Sequence, residues 1–238
     1  SLVGSEMCIR DRLITDEEFR SPELIGWLYQ FYISERKDEV FAKKGKFEAD
    51  EIPAATQIFT PNWIVKYMVQ NTVGRIYLDN NPYTTLAYKE KWQYLVEPAE
   101  PTPAKAILHY NELTDLKVAD LACGSGHILN ECFDLLYDLY ITEGYTRVEA
   151  ITHIFQDNLT GIDLDPRAQQ LSLFALTLKA CQREHSFADA HCLPRVLTMP
   201  KVPLPLPTDT RLAVEIDAAN ILLKDADSLG SIMKFNLT

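Results

Sequence analysis

No uncharged apolar run in this chain approaches the roughly 20 residues that a bilayer-spanning helix needs, so the sequence does not read as a membrane protein. Cysteine is sparse and scattered. Cys8, Cys123, Cys132, Cys181 and Cys192 form no C-x-x-C pair and show no framework spacing, which argues against a disulfide scaffold and suits a reducing cytoplasm. Positive charge is also short: 23 Lys and Arg stand against 34 Asp and Glu, a net charge of -11. A self-sufficient nucleic-acid binder carries a basic face. Either this chain does not touch DNA, or the part that reads DNA lies outside it. No internal repeat is present.

What remains is an ordinary globular composition, 47% hydrophobic and 24% charged over 238 residues, enough for one large domain or a domain with an appendage. Residues 1–12 (SLVGSEMCIRDR) have no helical or strand period. They resemble the translation of a transposon-end sequencing adapter and are set aside from fold reasoning; the alternative is a natural disordered tail. They lack the apolar core of a signal peptide.

From Thr15 the pattern turns helical. Thr15-Asp16-Glu17-Glu18 reads as a capping box, and Ser21-Pro22-Glu23 restarts a helix in which Leu24, Leu28, Phe31 and Tyr32 form an apolar stripe. Residues 43–50 (KKGKFEAD) read as a charged connector. Thr60-Pro61 opens another helix, with Ile64, Tyr67, Met68 and Val69 predicted on its buried side. Residues 97–103 (EPAEPTP) mark a boundary. A buried parallel strand is predicted over 116–121, a helix over 128–140 with Leu129, Cys132, Phe133, Leu136 and Tyr140 on one face, and a helix over 147–156. A second strand over 159–164 and a helix over 166–179 complete the first half of a doubly wound α/β fold.

Three segments carry chemistry. The first is the octet Asp120-Leu121-Ala122-Cys123-Gly124-Ser125-Gly126-His127, a glycine turn feeding a helix whose N-terminal amides would face a ligand. It lacks the G-K-[ST] ending of a nucleotide P-loop. The second is Gly161-Ile162-Asp163-Leu164-Asp165-Pro166. Asp163 at the strand tip is placed to accept from both ribose hydroxyls of an adenosine, and Asp165 to cap the next helix. The 43 residues from Asp120 to Asp163 exceed the usual separation of about 20, so one of the two intervening helices is an insertion. The third is Ile58-Phe59-Thr60-Pro61-Asn62-Trp63.

The octet is similar to motif I of amino methyltransferases that use S-adenosyl-L-methionine, and the F-T-P segment resembles their motif X. The order X before I is that of one group of N6-adenine and N4-cytosine enzymes. Over residues 21–180 the chain resembles the adenine-specific DNA methyltransferases of BREX phage-defence systems, the PglX family, and related restriction-modification enzymes. The matching stretches include PELIGWLYQFYISERKDEVF, IPAATQIFTPNWIVKYMVQNTVGRIYL, ACGSGHILNECFDLLYDLY and LTGIDLDPRAQQLSLFAL. The resemblance implies an α/β fold: a partial Rossmann-like methyltransferase sheet with an N-terminal helical region. It also implies methyl transfer to a flipped-out adenine in double-stranded DNA. Asp120, Ala122, Cys123, Gly124, Ser125 and Gly126 would form the cofactor floor, Asp163 would hold the ribose, and Thr60 with Pro61 would close the methionine end.

The same resemblance implies an N-P-P-Y or N-P-P-F loop that grips the target amino group, and none is present. Asn80-Asn81-Pro82-Tyr83 has a single proline and falls between the X-like and I-like segments, so it reads as a surface turn. The chain is therefore expected to be truncated before its catalytic loop and inactive alone. Residues 13–105 are assigned to the helical region, 106–198 to the first half of the methyltransferase domain, and 199–238 to a proline-rich linker and remainder. DNA is expected to bind mostly through regions outside the chain, with defence-system subunits as further partners. Alternatives are an inactive cofactor-binding or scaffold module, and a methyltransferase acting on RNA or a small molecule. Cys181, His185, His191 and Cys192 fit no zinc spacing, so no metal is expected.

Overall fold

The computed structural model describes residues 23–43, 45–46, 48, 51, 54–55, 60–84, 92–189, 191–198 and 204–223. Residues 1–12, the Thr15–Glu18 capping box, Ser21-Pro22 and Phe59 lie outside them. The chain divides into a compact unit of residues 1–198 and a second of residues 199–238.

The first helix, α1 (Glu23–Ala42), buries Gly26, Ile33 and Val40, spaced seven apart on one narrow seam. Of the predicted stripe, Leu28, Phe31 and Tyr32 are exposed and Leu24 is half-buried. Periodicity groups apolar residues on one face but does not say which face the rest of the molecule covers. Helix α2 (Asn62–Val69) runs through a wide π-type turn at Gln70–Gly74 into α3 (Arg75–Asn80). Its buried residues include Gln70, Gly74 and, at a spacing of four, Val65, Val69, Val73 and Tyr77; of the predicted set Val69 is buried, Ile64 is half-buried, and Tyr67 and Met68 face outward. A spacing of four drifts around a regular helix of 3.6 residues per turn; the π turn takes up that drift and holds the four on one face. Gln70 and Asn71 accept from the backbone amides of Tyr94 and Val96, and Arg75 donates to the Val96 carbonyl, fastening that extended segment along the helix.

Three parallel strands follow in the order β1-β2-β3. They are β1 (Val118–Asp120), β2 (Leu159–Asp163) and β3 (Arg195–Thr198). Between β1 and β2 lie α4 (His127–Thr142) and α5 (Arg147–His153); between β2 and β3 lies α6 (Pro166–Arg183). The architecture is mixed α/β with helical crossovers between parallel strands, as the alternating pattern predicts. Leu129, Cys132, Phe133, Leu136 and Tyr140 of α4 are all buried, the face read from the sequence. Their core continues through Phe155, whose ring lies 5.7 Å from those of both Phe133 and Phe187. Buried Asn158, just before β2, donates to the carbonyls of Leu113 and Leu116 and accepts from the Tyr140 hydroxyl, tying the entry of β2 to the entry of β1.

In the second unit, α7 (Thr210–Leu223) starts where Asp209 accepts from the amides of Arg211 and Leu212. Sequence reading left this stretch as linker and remainder. Leu212, Val214 and Ile221 are exposed, while Ala213, Ile216, Ala219 and Asn220 are half-buried at helical spacing.

Candidate functional site

The glycine turn sits at the C-terminal end of β1. Gly124 and Gly126 adopt φ values of 53° and 87°, a left-handed backbone that favours glycine. At Gly126 the close approach is also steric: a Cβ there would stand 2.4 Å from Ser172 Oγ on α6. At Gly124 the opposite holds, since none of the described residues lies within 4 Å of where a Cβ would project. The turn is clamped from behind and open in front.

Two motifs far apart in sequence meet here. The Gly124 amide donates to Asp163 Oδ2 at 2.7 Å across 39 residues. The Asp165 amide donates to Asp163 Oδ1 at 2.8 Å, and the Cys123 amide donates to the Ile162 carbonyl at 3.0 Å. Each Asp163 oxygen keeps acceptor capacity beyond its backbone bond. Asp120 accepts from the Ala122 amide at 3.2 Å. Burial, reinforced by the nearby Asp163 carboxylate, raises the Asp120 pKa. Two carboxylates beside an open turn make a site suited to a cationic ligand.

The remaining candidates divide by orientation. Cys123 and Ser125 are buried, so what they offer the open side is backbone. Burial, with Asp120 and Asp163 adding to it, pushes the Cys123 thiol up to about 12, which leaves it protonated and a poor nucleophile at neutral pH. Asp165 is buried and caps α6, accepting from the Arg167 amide, as its position before Pro166 predicts. Burial opposes its ionisation, yet hydrogen bonds from Tyr29 and Arg167 outweigh burial and lower its pKa. Thr60 and Pro61 stand just before α2. The α2–α3 rod runs parallel to α4, because Gly74 meets Leu135 and Tyr77 bonds Glu143.

Sequence reading missed two features of this region. Leu121 and Leu164, adjacent to Asp120 and Asp163, are 71% and 68% exposed and present apolar surface beside the carboxylates. Gly26 and Tyr29 of α1 also reach the site: a Cβ on Gly26 would lie 3.1 Å from Ser125 Oγ, and the Tyr29 hydroxyl donates to Asp165 Oδ2 at 2.5 Å. No local sequence signal announces a contact across 136 residues.

No family model matches the chain, but curated relatives do. The adenine-specific methyltransferase BrxX of Escherichia coli O9:H4 (strain HS) is 49% identical over 175 residues, covering 71% of this chain and 14% of the relative. The adenine-specific methyltransferase PglX of Lacticaseibacillus casei (strain Zhang) is 40% identical over 193 residues, covering 77% of this chain and 16% of the relative. The chain is a homologue of BrxX and PglX. A more distant match is the type II restriction enzyme and methyltransferase RM.Eco57I of Escherichia coli, 26% identical over 182 residues, 69% of this chain and 15% of the relative. This homologue of BrxX and PglX thus spans about a seventh of the length of those relatives.

In the BrxX and PglX homologue, Asn80–Tyr83 ends α3. Asn81 donates to the Tyr77 carbonyl and to the Tyr110 hydroxyl, while Tyr83 is 94% exposed. These contacts are those of a helix stop. Among the described residues no group of three or more His, Cys, Asp or Glu could hold a metal ion, and no helix is long and apolar enough to cross a membrane.

Proposed function

We propose that this chain is the S-adenosyl-L-methionine-binding portion of a site-specific DNA methyltransferase. The enzyme would act at N6 of adenine within a cytoplasmic phage-defence system of the BREX type or a restriction-modification system. The observation that carries the reading is the Gly124–Asp163 hydrogen bond, which brings the glycine turn and the acidic strand tip to one crevice at the C-terminal ends of parallel strands. That is where open α/β sheets bind ligands.

The residues fit the cofactor. It bears a positive sulfonium and an ammonium group, and the crevice offers Asp120 and Asp163. Its ribose needs acceptors, and Asp163 has them to spare; its adenine needs apolar cover, and Leu121 and Leu164 stand exposed beside the carboxylates. The open space before Gly124 admits a ligand against the backbone. In this reading Asp120, Ala122, Gly124 and Gly126 form the floor, Cys123 and Ser125 contribute backbone, and Thr60 with Pro61 closes the methionine end. When bound, the cofactor supplies an electrophilic methyl group. Double-stranded DNA would be gripped mainly by regions outside these residues, given the net charge of -11, and defence-system subunits would be further partners.

Calorimetry on the 238-residue chain should detect S-adenosyl-L-methionine and S-adenosyl-L-homocysteine. Labelled cofactor should transfer no methyl to mixed genomic DNA, because no N-P-P-Y or N-P-P-F loop is present to orient the adenine nitrogen. Absence of any binding heat at millimolar ligand would refute the assignment.

The raised pKa of Asp120 sets a pH dependence. A cation binds the ionised carboxylate, so affinity should fall as pH drops through that raised value and level off above it. Binding in that window should release protons, visible as a buffer-dependent heat. Asp120→Asn should flatten the profile; an unchanged profile would remove Asp120 from the site.

A further inference from the structure

We infer that Tyr29 is a positioning residue for the cofactor's ribose, acting through a continuous hydrogen-bonded chain that ends at the glycine turn. The inference rests on the function proposed above and adds a residue outside every motif assigned to it. The Tyr29 hydroxyl donates to Asp165 Oδ2 at 2.5 Å, the Asp165 amide donates to Asp163 Oδ1 at 2.8 Å, and the Gly124 amide donates to Asp163 Oδ2 at 2.7 Å. Asp165 is buried, with 2% exposure, so its carboxylate has few orientations. It is held by Tyr29 on one oxygen and by the Arg167 amide and guanidinium on the other.

The geometry matters because Asp163 has to present its free acceptor positions in one direction. Its carboxylate is fixed by two backbone amides, and one of those belongs to Asp165. Whatever sets the Asp165 side chain therefore sets the turn Asp163-Leu164-Asp165 and the angle at which Asp163 faces the crevice. Helix α1 grips the other side of the loop as well: a Cβ on Gly26, one turn before Tyr29, would lie 3.1 Å from both Ser125 Oγ and the His127 ring. A single helix thus bears on both halves of the site, and the hydroxyl of Tyr29 is its directional contact. A charge-assisted hydrogen bond of this kind is among the stronger single contacts a side chain makes.

The test uses calorimetry on the 238-residue chain with S-adenosyl-L-homocysteine and its 2′,3′-dideoxy analogue. Wild type should prefer the hydroxylated ligand, and Asp163→Ala should abolish the preference. Tyr29→Phe should weaken S-adenosyl-L-homocysteine about three- to tenfold while changing the dideoxy analogue less than twofold, a split that general destabilisation does not produce. The double variant Tyr29→Phe/Asp163→Ala should bind no worse than Asp163→Ala alone. If Tyr29→Phe fails to fold, Asp165→Asn weakens the same link, because it replaces a charge-assisted bond with a neutral one from its amide to the Tyr29 hydroxyl while keeping a cap oxygen for Arg167, and it should show the same split in smaller measure. Equal weakening of both ligands, or no weakening, overturns the positioning role while leaving the cofactor assignment intact. A wild type that binds neither ligand overturns both.

Discussion

Asp163→Ala is expected to raise the dissociation constant for S-adenosyl-L-methionine by about ten- to a hundredfold, from unpaired ribose hydroxyls worth roughly 1–3 kcal/mol. The substitution also removes the acceptor for the Gly124 and Asp165 amides, so the turn itself loses its anchor and the melting temperature should fall. Asp163→Asn separates the two effects. Its single carbonyl can accept from one of those amides, whereas its amide group opposes the other donor. It should therefore lie between wild type and Asp163→Ala in both affinity and melting temperature. Titration calorimetry beside thermal denaturation reads both quantities, and wild-type affinity in Asp163→Ala would place the ribose elsewhere.

The parts of this site that were legible in the sequence are those encoded locally. A glycine pair after an apolar run and an acidic residue at the end of the next one single out Asp120–Gly126 and Asp163 by residue type, in spite of a 43-residue separation, and the Gly124–Asp163 hydrogen bond joins the two segments. The face of α4 was legible for a related reason: five apolar residues at helical spacing are all buried, although Asn130, Leu135, Tyr137 and Leu139 are buried as well and no single stripe announced them. Helix α1 shows where that logic stops. Leu28, Phe31 and Tyr32 share a face, yet the covered seam is Gly26, Ile33 and Val40, because a glycine at the glycine turn permits a closer approach than an aromatic would.

Strand β3 illustrates a second limit. Its four residues, Arg195–Thr198, alternate exposed and buried at the sheet edge, too short a signal to separate from the proline-rich run that follows. The division of labour between Asp163 and Asp165 shows the converse. Their order relative to Pro166 is enough to assign one as cap, since a proline in the first turn leaves the preceding residue non-helical and free to accept from the helix amides. What the order cannot give is that the cap is also held by Tyr29 from 136 residues away.

Gly126→Ala is expected to destabilise the chain by about 2–4 kcal/mol, which combines left-handed backbone strain of about 1 kcal/mol with overpacking against α6. The second component arises because the new methyl would stand 2.4 Å from Ser172 Oγ and 3.1 Å from Ser172 Cβ. In a domain of this size the loss corresponds to a fall of about 5–15 °C in melting temperature. Ser172 Oγ is buried, and the partner it finds is the Cys123 thiol, a weak hydrogen-bonding group, so Ser172→Ala alone should be close to neutral. In the Gly126→Ala background it should recover much of the overpacking component, giving a coupling of about 1 kcal/mol or more between the two positions. The backbone component should persist, because removing a hydroxyl on α6 does nothing for a φ of 87°. The double-mutant cycle, read by thermal and urea denaturation, decides the matter. Additive effects would mean that the turn and α6 are not pressed together, and a Gly126→Ala protein melting with wild type would mean that this turn does not hold the left-handed conformation.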